Sequence, residues 1–321
     1  MSALRIGTRS SRLALAQAHM AAAALRELGH EVAIVPLSTQ GDRDARRTFA
    51  EIGGRGIFAS ELEEALCEGR IDVAVHSAKD LTGEDVEGLS LAACLERADP
   101  RDAWVGPARS WDEVPVGARV ATASIRRVSQ LLRIRPDLQI EPVRGNVETR
   151  LRKRAERGID AVILAAAGLD RLALSEQIGF RIEPGEMPPE SGQGIVVLQV
   201  RAGEEALVAG ADHADSSLAL HAERAVTRAL AGGCTVPVAA HAARLADGRW
   251  RMLAFADRDG SISIEQAEGW DPLALADPVL AAILGSRLRR RRQRARVLLP
   301  LSVVAGAARR KAWTIALRSL R

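Results

Sequence analysis

Short polar segments that follow apolar, strand-like stretches carry most of the side chains that could do chemistry in this sequence. Each segment precedes a helix-like pattern, so its residues would lie at a helix N-terminus, where unpaired N–H groups and the helix dipole favour anions. Guanidinium groups add two-point binding of carboxylates or phosphates. The positions are Arg9 and Ser11, Lys79 and Asp80, Ser124 with Arg126 and Arg127, and Arg144 with Arg150.

A single arginine in such a turn is more often a solvated surface cation than a ligand contact. Repetition of the pattern in several turns is much less expected by chance. The chain also has three lysines among its 45 basic residues, which makes Lys79 an unusual choice of cation. Together these positions predict a site for an extended polyanion or for several small acids.

Asp80 is an acid beside Lys79 in this otherwise cationic set. An aspartate after a strand can be a helix cap or a salt-bridge partner. An ionised carboxylate in a cationic pocket could instead stabilise a cationic intermediate or relay protons. The residues alone leave these alternatives open. His76 alternates with Val73 and Val75, and we expect it to be a hydrogen-bonded core histidine.

Cys234 follows two glycines after a predicted helix, where an exposed thiol could be nucleophilic or modified. Cys67 and Cys94 lie inside a predicted helix and a predicted strand, and we expect both to be inert packing. Three widely spaced cysteines form neither a disulfide framework nor a Cys/His metal set. We therefore expect no metal and a reducing compartment.

Alternating strand and helix patterns would position these turns, and they predict mostly parallel sheets with helices on both faces. Ligands of such sheets bind outside the carboxyl ends of the strands. Predicted strands cover residues 4–7, 32–37, 71–75, 119–121, 140–143 and 161–165, and one helix is expected to begin at Ser60. The expected domains are 1–98 with 195–215, then 99–194, then a smaller α+β domain at 216–288, followed by a basic tail at 289–321.

The composition is that of a soluble protein of two or three domains, with 47% hydrophobic and 27% charged residues over 321 positions. No apolar stretch reaches the roughly 20 residues that span a bilayer, and the N-terminus lacks a secretory pattern. We therefore expect a cytoplasmic protein without membrane contact. Eleven Arg, one Lys and no acid fall in residues 285–321, which leaves residues 1–284 with a net charge of −8. An acidic body with 3% aromatics argues against nucleic-acid binding as the main role.

Several segments, in their order and spacing, closely resemble the hydroxymethylbilane synthase (porphobilinogen deaminase) family over about residues 4–267. They are TRSSRLALAQA, GGRGIFASELEEAL, DVAVHSAKDL, RADPRDAW, TASIRR, RPDLQIEPVRGNVETRL, DAVILAAAGLDRL, SGQG, AERA and GGCTVP. The resemblance implies two domains similar to type-2 periplasmic binding proteins and a third domain with a cysteine loop. It also implies a covalent dipyrromethane cofactor, made from the enzyme's own substrate.

The activity implied by the resemblance is stepwise condensation of four porphobilinogen molecules with loss of ammonia, then hydrolytic release of the linear tetrapyrrole. Cys234 would hold the cofactor through a thioether, and Asp80 would be the catalytic acid. The other implied cofactor contacts are Lys79, Ser124, Arg126, Arg127 and Arg144, and the implied substrate contacts are Arg9, Ser11, Arg150, Arg171 and Phe58. Phe58 would lie on a flexible loop at 39–59, and porphobilinogen and the growing polypyrrole would be the partners of a monomer.

Three features depart from the family pattern. Thr82 stands where the family commonly has Pro, and Glu51 stands where a basic residue is frequent; the arginine-rich tail has no familiar counterpart. Three rival functions also fit parts of the sequence. They are a non-catalytic polycarboxylate-binding protein of periplasmic-binding-protein shape, a nucleic-acid or anionic-surface binder that acts through the tail, and an inactive synthase.

Overall fold

The computed structural model describes residues 3–37, 57–81, 85–230 and 236–285, and of residues 57–60 it describes the backbone alone. The strands are β1 (Leu4–Arg9), β2 (Val32–Leu37), β3 (Val73–Ser77), β4 (Leu89–Cys94), β5 (Asp102–Val105), β6 (Arg119–Ala121), β7 (Gln139–Glu141), β8 (Ala161–Ala165), β9 (Phe180–Ile182), β10 (Val196–Arg201), β11 (Val238–Arg244), β12 (Trp250–Arg258) and β13 (Ser261–Gly269). The helices are α1 (Arg12–Glu27), α2 (Ile57–Cys67), α3 (Ile125–Ile134), α4 (Val147–Arg157), α5 (Ala166–Arg171), α6 (Ala214–Leu230) and α7 (residues 276–285). Within these ranges, no helix combines the length and the apolar character needed to cross a membrane.

These strands form three sheets, and each of the first two mixes strand directions. The first sheet has the order β2-β1-β3-β10-β4 and the second the order β7-β6-β8-β5-β9. In each sheet four strands run the same way, while β10 in the first and β5 in the second run antiparallel to both neighbours. The two sheets are therefore mostly parallel, as predicted, and each contains one reversed strand.

The reversed strands are the ones that follow the two connections between the sheets. The chain leaves the first sheet after Cys94 and enters the second at Asp102; it leaves the second after Ile182 and returns to the first at Val196. A strand that arrives from a neighbouring sheet needs no crossover helix on its own sheet. It can therefore pair antiparallel with its neighbours.

Helices cover both faces of the first sheet, as the alternation of patterns predicted. Helix α1 buries Ala18, Ala21 and Leu25 against one face, and α2 buries Leu62 and Leu66 against the other. Helix α1 begins at its N-cap, where Ser11 Oγ accepts a hydrogen bond from the Ala14 N–H. It is followed by Gly29, whose φ of 87° favours glycine.

Helix α2 begins at Ile57, three residues earlier than the sequence predicted. Phe58 is therefore part of a helix, and its assignment to a flexible loop was wrong. The physical reason is visible in the sequence, since Phe58 stands four residues before Leu62 and eight before Leu66, on one helical face. The rest of the proposed loop, residues 39–56, lies outside the described residues, as do Glu51 and Thr82.

The third unit is a three-stranded antiparallel sheet, β11-β12-β13, packed against α6 and α7. Its core contains Val226 and Leu230 of α6, Trp250 and Met252 of β12, and Val279 of α7. Turns at 247–248 and 259–260 join the strands as the sequence predicted, with positive φ at Gly248, Asp259 and Gly260. Two α/β units and a smaller α+β unit confirm the predicted fold class.

A buried carboxylate on α6 joins the third unit to both connections between the first two sheets. Glu223 is fully buried, and its Oε1 lies 2.5 Å from Arg97 Nη1 in the outgoing connection. Its Oε2 accepts a hydrogen bond of 2.7 Å from the Gly192 N–H in the returning connection. The Ala242 N–H of β11 donates to Oε1 at 2.8 Å. One side chain thus fixes three chain segments at a single point.

We predict that Glu223→Gln lowers the free energy of unfolding by about 3–5 kcal/mol, because it leaves the Arg97 guanidinium without its buried counter-charge. Urea denaturation of the purified variant measures this loss. The matched control is Glu268→Gln, which removes a carboxylate that pairs with Arg251 at the surface and should cost at most about 1 kcal/mol. Equal losses for the two variants would contradict the prediction.

Candidate active site

The carboxyl ends of strands from the first two sheets face each other across a cleft. Arg12, at the start of α1, lies 3.4 Å from Glu148 in the first turn of α4. Charges also interact across the gap, since Lys79 of the first unit is influenced by Arg127, and Arg150 of the second by Asp80. The structure therefore brings the sequence-predicted turns together.

Three helices begin at this cleft, each with a polar N-cap. Ser11 caps α1, Ser124 caps α3 by accepting from the Arg127 N–H at 3.4 Å, and Asn146 caps α4 by accepting from the Thr149 N–H at 2.9 Å. Each serine uses its oxygen as an acceptor, which leaves the hydroxyl proton as a donor for an anion. The predicted anion-binding residues Ser11 and Ser124 thus also have a structural role.

A small cavity lies beside the ends of β1 and β3. Its lining consists of Arg9, Ser11, Leu13, Ala14, Gln17, Leu62, Val75, His76, Ser77 and Asp80. Sequence reasoning missed Gln17, which is buried and donates through Nε2 to Ser77 Oγ at 2.7 Å. The signal was present, because Gln17 is a polar residue next to the alanine stripe by which α1 packs on the sheet.

His76 is a core histidine, as the sequence predicted. Its Nε2 lies 2.9 Å from Gln199 Oε1 on the adjacent strand β10, and the side chain is buried. Burial lowers the pKa of His76 to about 4, with a smaller contribution from the charge of Arg9. The ring is therefore neutral at pH 7, and it does not supply a positive charge to the cavity.

Asp80 closes a single 3-10 turn, Ala78–Asp80, directly after β3. The N-cap of that turn is Ser77, so Asp80 is not the cap. It is exposed at the cavity wall, and among the described residues it makes neither an ion pair nor a hydrogen bond. Of the alternatives that the sequence left open, the structure favours an unengaged carboxylate that faces the cleft.

Lys79, next to Asp80, is half-buried and donates from Nζ to Gln193 Oε1 at 3.3 Å. Burial lowers the pKa of Lys79 to about 8, and the nearby charge of Arg127 acts in the same direction. The negative charges of Asp80, Asp102 and Glu190 oppose this shift. Lys79 therefore carries its charge only partly at mildly alkaline pH.

Arg126 and Arg127, which the sequence predicted as anion contacts, are already bound by groups of the protein itself. Arg126 is fully buried, with Nη2 2.8 Å from Asp102 Oδ2 and Nη1 donating to Pro188 O at 2.9 Å. Arg127 Nη2 lies 2.7 Å from Asp102 Oδ1. Asp102, which sequence reasoning missed, is itself fully buried; the charges of the two arginines outweigh its burial and lower its pKa to about 2.

Two other arginines lack such compensation within the described chain. Arg150 donates from Nε to Gly145 O at 2.7 Å. Burial, Arg127 and Arg144 together lower the pKa of Arg150 to about 10. Arg171 donates to Gly194 O at 2.7 Å, while its buried Nε has no partner among the described residues. Arg9 and Arg144 are half-buried at the same strand ends. An added carboxylate would stabilise Arg150 and Arg171.

Cys234 lies outside the described residues, which stop at Leu230 and resume at Val236. Of the other two thiols, Cys94 is buried, and its burial raises the pKa to about 11. Cys67 is exposed at the end of α2. The expectation that Cys67 is packed inside the protein was therefore wrong, because it falls on the solvent side of the last helical turn.

Two family models match the chain in succession. Residues 4–209 match "Porphobilinogen deaminase, dipyromethane cofactor binding domain", and residues 217–290 match "Porphobilinogen deaminase, C-terminal domain". The porphobilinogen deaminase of Albidiferax ferrireducens is 43% identical over 292 residues, which cover 90% of this chain and 92% of that protein. The porphobilinogen deaminase of Syntrophotalea carbinolica is 46% identical over 285 residues, which cover 87% of this chain and 90% of that protein.

Solved structures with a similar chain path are more distant in sequence. A nutrient binding protein from Burkholderia cenocepacia bound to methionine is 13% identical with a TM-score of 0.41, and the match covers 66% of this chain and 93% of that one. The periplasmic VFT2 domain of Bordetella pertussis BvgS is 14% identical with a TM-score of 0.39, and the match covers 65% and 86%. Likeness at this level says nothing about what this chain binds.

We predict that the chemical reactivity of Lys79 rises with a midpoint near pH 8, because only the neutral amine reacts and burial lowers its pKa to about 8. Brief acetylation over a pH series, followed by peptide mapping, measures this profile, with Lys153 as internal comparison. Carboxylate binding at Lys79 should weaken as pH rises through the same range, since the lysine loses its charge. A profile that still rises steeply above pH 10 would contradict the prediction.

Proposed function

The chain belongs to the porphobilinogen deaminase family and is a hydroxymethylbilane synthase, and we propose the roles of its own residues in that reaction. The enzyme joins four porphobilinogen molecules head to tail with loss of ammonia, and water then releases the linear tetrapyrrole. The observation that carries our assignment is the cleft itself. It holds two arginines, Arg150 and Arg171, that make no ion pair within the described chain, together with the carboxylate of Asp80, whose charge acts on Arg150.

The residues of the cleft fit the family's dipyrromethane cofactor, which bears several carboxylates. Such a group requires donors like the Nε of Arg171, which has no partner among the described residues, and the guanidinium of Arg150, which makes no ion pair there. We assign its binding to Cys234 as the covalent anchor and to Lys79, Ser124, Arg126, Arg127 and Arg144. When bound, the cofactor supplies a pyrrole carbon that accepts the first substrate unit.

Arg126 and Arg127 would act from beneath the cleft. Their pairing with Asp102 means that either guanidinium could bind a cofactor carboxylate only by sharing or exchanging that partner. Arg9, Ser11, Arg150 and Arg171 border the cleft more directly, and we assign the carboxylates of incoming porphobilinogen to them. Phe58, at the start of α2, is assigned to the same substrate.

We assign Asp80 the role of acting at the reacting carbon. Loss of the substrate's amino group as ammonia leaves an azafulvene cation, whose charge is shared with the pyrrole nitrogen. An ionised carboxylate beside that nitrogen accepts its N–H and stabilises the positive charge. The free pyrrole carbon of the preceding ring then forms the new C–C bond, and its hydrogen leaves as a proton.

Family membership does not favour the alternative of a non-catalytic polycarboxylate-binding protein. We further propose that the protein is a cytoplasmic monomer that acts on porphobilinogen and the growing polypyrrole without nucleic acid or membrane. The proposed domains are 1–98 with 195–215, 99–194 and 216–288. The membership of strands in the three sheets supports that division. The tail at 289–321 lies outside the described residues.

We predict that the intact mass of the purified protein exceeds the sequence mass by two pyrrole units, and that peptide mapping places the excess on Cys234. Cys234→Ala should fold, lack the adduct and lack activity, because the thioether has no other suitable sulfur. Cys67→Ala is the matched control, since Cys67 is an exposed thiol at the C-terminal end of α2 and does not line the cavity. An adduct on Cys67 or Cys94 in an active Cys234→Ala variant would refute the assignment.

We predict that Asp80→Asn lowers turnover by about two to four powers of ten, as expected from losing roughly 3–5 kcal/mol of transition-state stabilisation. The amide keeps the size of the side chain but removes the charge that opposes the azafulvene cation. The variant is loaded with cofactor, checked by mass and followed through single additions of porphobilinogen. Asp215→Asn, a surface acid paired with Arg244, should keep normal rates. Normal rates in loaded Asp80→Asn would show that Asp80 is not the catalytic acid.

A further inference from the structure

Leu230 and Pro237, which lie on either side of residues 231–235, are both hydrogen-bonded to the last two residues of β12. Arg258 Nη2 donates to Leu230 O, on the last residue of α6, at 2.8 Å. The Asp257 N–H donates to Pro237 O at 2.9 Å. Two consecutive residues thus hold the base of the segment that carries Cys234.

The side chain of Asp257 reaches the second unit. It is 2% exposed, and Oδ1 accepts a hydrogen bond of 2.9 Å from the Gly260 N–H. Oδ2 accepts a hydrogen bond from the hydroxyl of Ser129, a buried residue of α3. Ser129 lies three residues after Arg126, so it shares a helical face with that arginine.

Burying a carboxylate to make such a contact has a high desolvation cost. Removing Asp257 from water costs free energy that an apolar pair of similar size would not cost, and an apolar pair could bury the same surface. A hydrogen bond to a carboxylate has a narrow range of distance and angle, which an apolar contact does not impose. What Asp257 provides is therefore a fixed position of the third unit relative to α3.

We propose that Ser129 and Asp257 are positioning residues. Their hydrogen bond holds the two ends of the Cys234 segment at a fixed position relative to α3, the helix that carries Arg126 and Arg127. The inference rests on the proposed role of Cys234. Attachment forms a bond between Cys234 Sγ and the methylene carbon of a pyrrole unit, while the amino group leaves that carbon and takes the thiol proton to become ammonia. The hydrogen bond between Ser129 and Asp257 thereby fixes Leu230 and Pro237, the described residues on either side of the Cys234 segment, relative to the α3 arginines that would hold the pyrrole carboxylates.

The test uses full-length apoprotein, made in a host that cannot synthesise porphobilinogen. Porphobilinogen is added, and the intact mass follows the appearance of the adduct with time. Ser129→Ala and Asp257→Ala should each slow attachment about 10- to 100-fold, the loss expected from a misplacement of about 1 Å. The double variant should be no slower than the slower single variant, because either change breaks the same hydrogen bond.

Two further variants separate positioning from stability. In Asp257→Asn the amide can still accept from Gly260 and can donate to Ser129, whose hydroxyl then acts as acceptor, so attachment should stay near the wild-type rate. Ser175→Ala is the matched control. It also removes a hydrogen bond from a serine to an aspartate, the 2.6 Å bond to Asp170, but this bond does not join α3 to the third unit. Once loaded, Ser129→Ala should add porphobilinogen at the wild-type rate, because the thioether then holds the register.

Wild-type attachment kinetics in Ser129→Ala would overturn this inference alone. A parallel loss of melting temperature and attachment in Ser129→Ala and Asp257→Asn would overturn it as well, by showing a purely structural contact. A wild-type protein that gains no adduct on Cys234 would overturn the proposed function, and this inference with it. Slow attachment in Ser129→Ala, restored in Asp257→Asn at an unchanged melting temperature, supports it.

Discussion

Like charges repel strongly in a protein interior of low dielectric constant, and the second unit places two guanidinium groups side by side at the start of α3. Asp102 makes this arrangement possible, because it lies within 2.8 Å of both Arg126 and Arg127. Its Oδ1 also accepts from Gln193 Nε2 at 3.1 Å, and Gln193 Oε1 accepts from Lys79 Nζ. One buried carboxylate therefore connects the cation cluster of the second unit, through an amide, to the first unit.

Asp102 offsets one of the two positive charges, and Glu190, 3.2 Å from Arg126 Nε, offsets the other. Above this balanced group lie Arg150 and Arg171, which make no ion pair within the described chain. Without these carboxylates the field of the two arginines would lower the pKa of Arg150 further, since Arg127 already contributes to that shift. The reaction also requires the cleft to stabilise a positive charge, which opposes its suitability for carboxylates. A cleft built for carboxylates disfavours a cation, yet loss of ammonia from porphobilinogen creates one. In the roles that we propose, the carboxylates of the substrate neutralise the arginines, and Asp80 supplies the negative charge at the carbon where the cation forms.

Local patterns were sufficient to predict the turns of the site, and non-local pairing was not. Ser11, Ser124 and Arg150 follow strands and start helices, which is visible over about ten residues of sequence. The partner of Arg126 could not be found in this way, because Asp102 lies on β5, a strand that arrives from the other unit. The start of α2 was missed since Ser60 is a favoured N-cap type, whereas the apolar face already begins at Phe58.

The third unit contacts the other two through directional polar groups at defined points. Glu223 binds Arg97 and Gly192, one on each connection between the sheets, and Asp257 binds Ser129 on α3. Because a buried carboxylate is costly to leave unpaired, the third unit cannot slide over these contacts without losing stability. A change in the width of the cleft must then be absorbed by parts of the two connections that Glu223 does not hold. If Cys234 anchors the cofactor as we propose, these carboxylates would couple the position of the third unit, which carries it, to the width of the cleft.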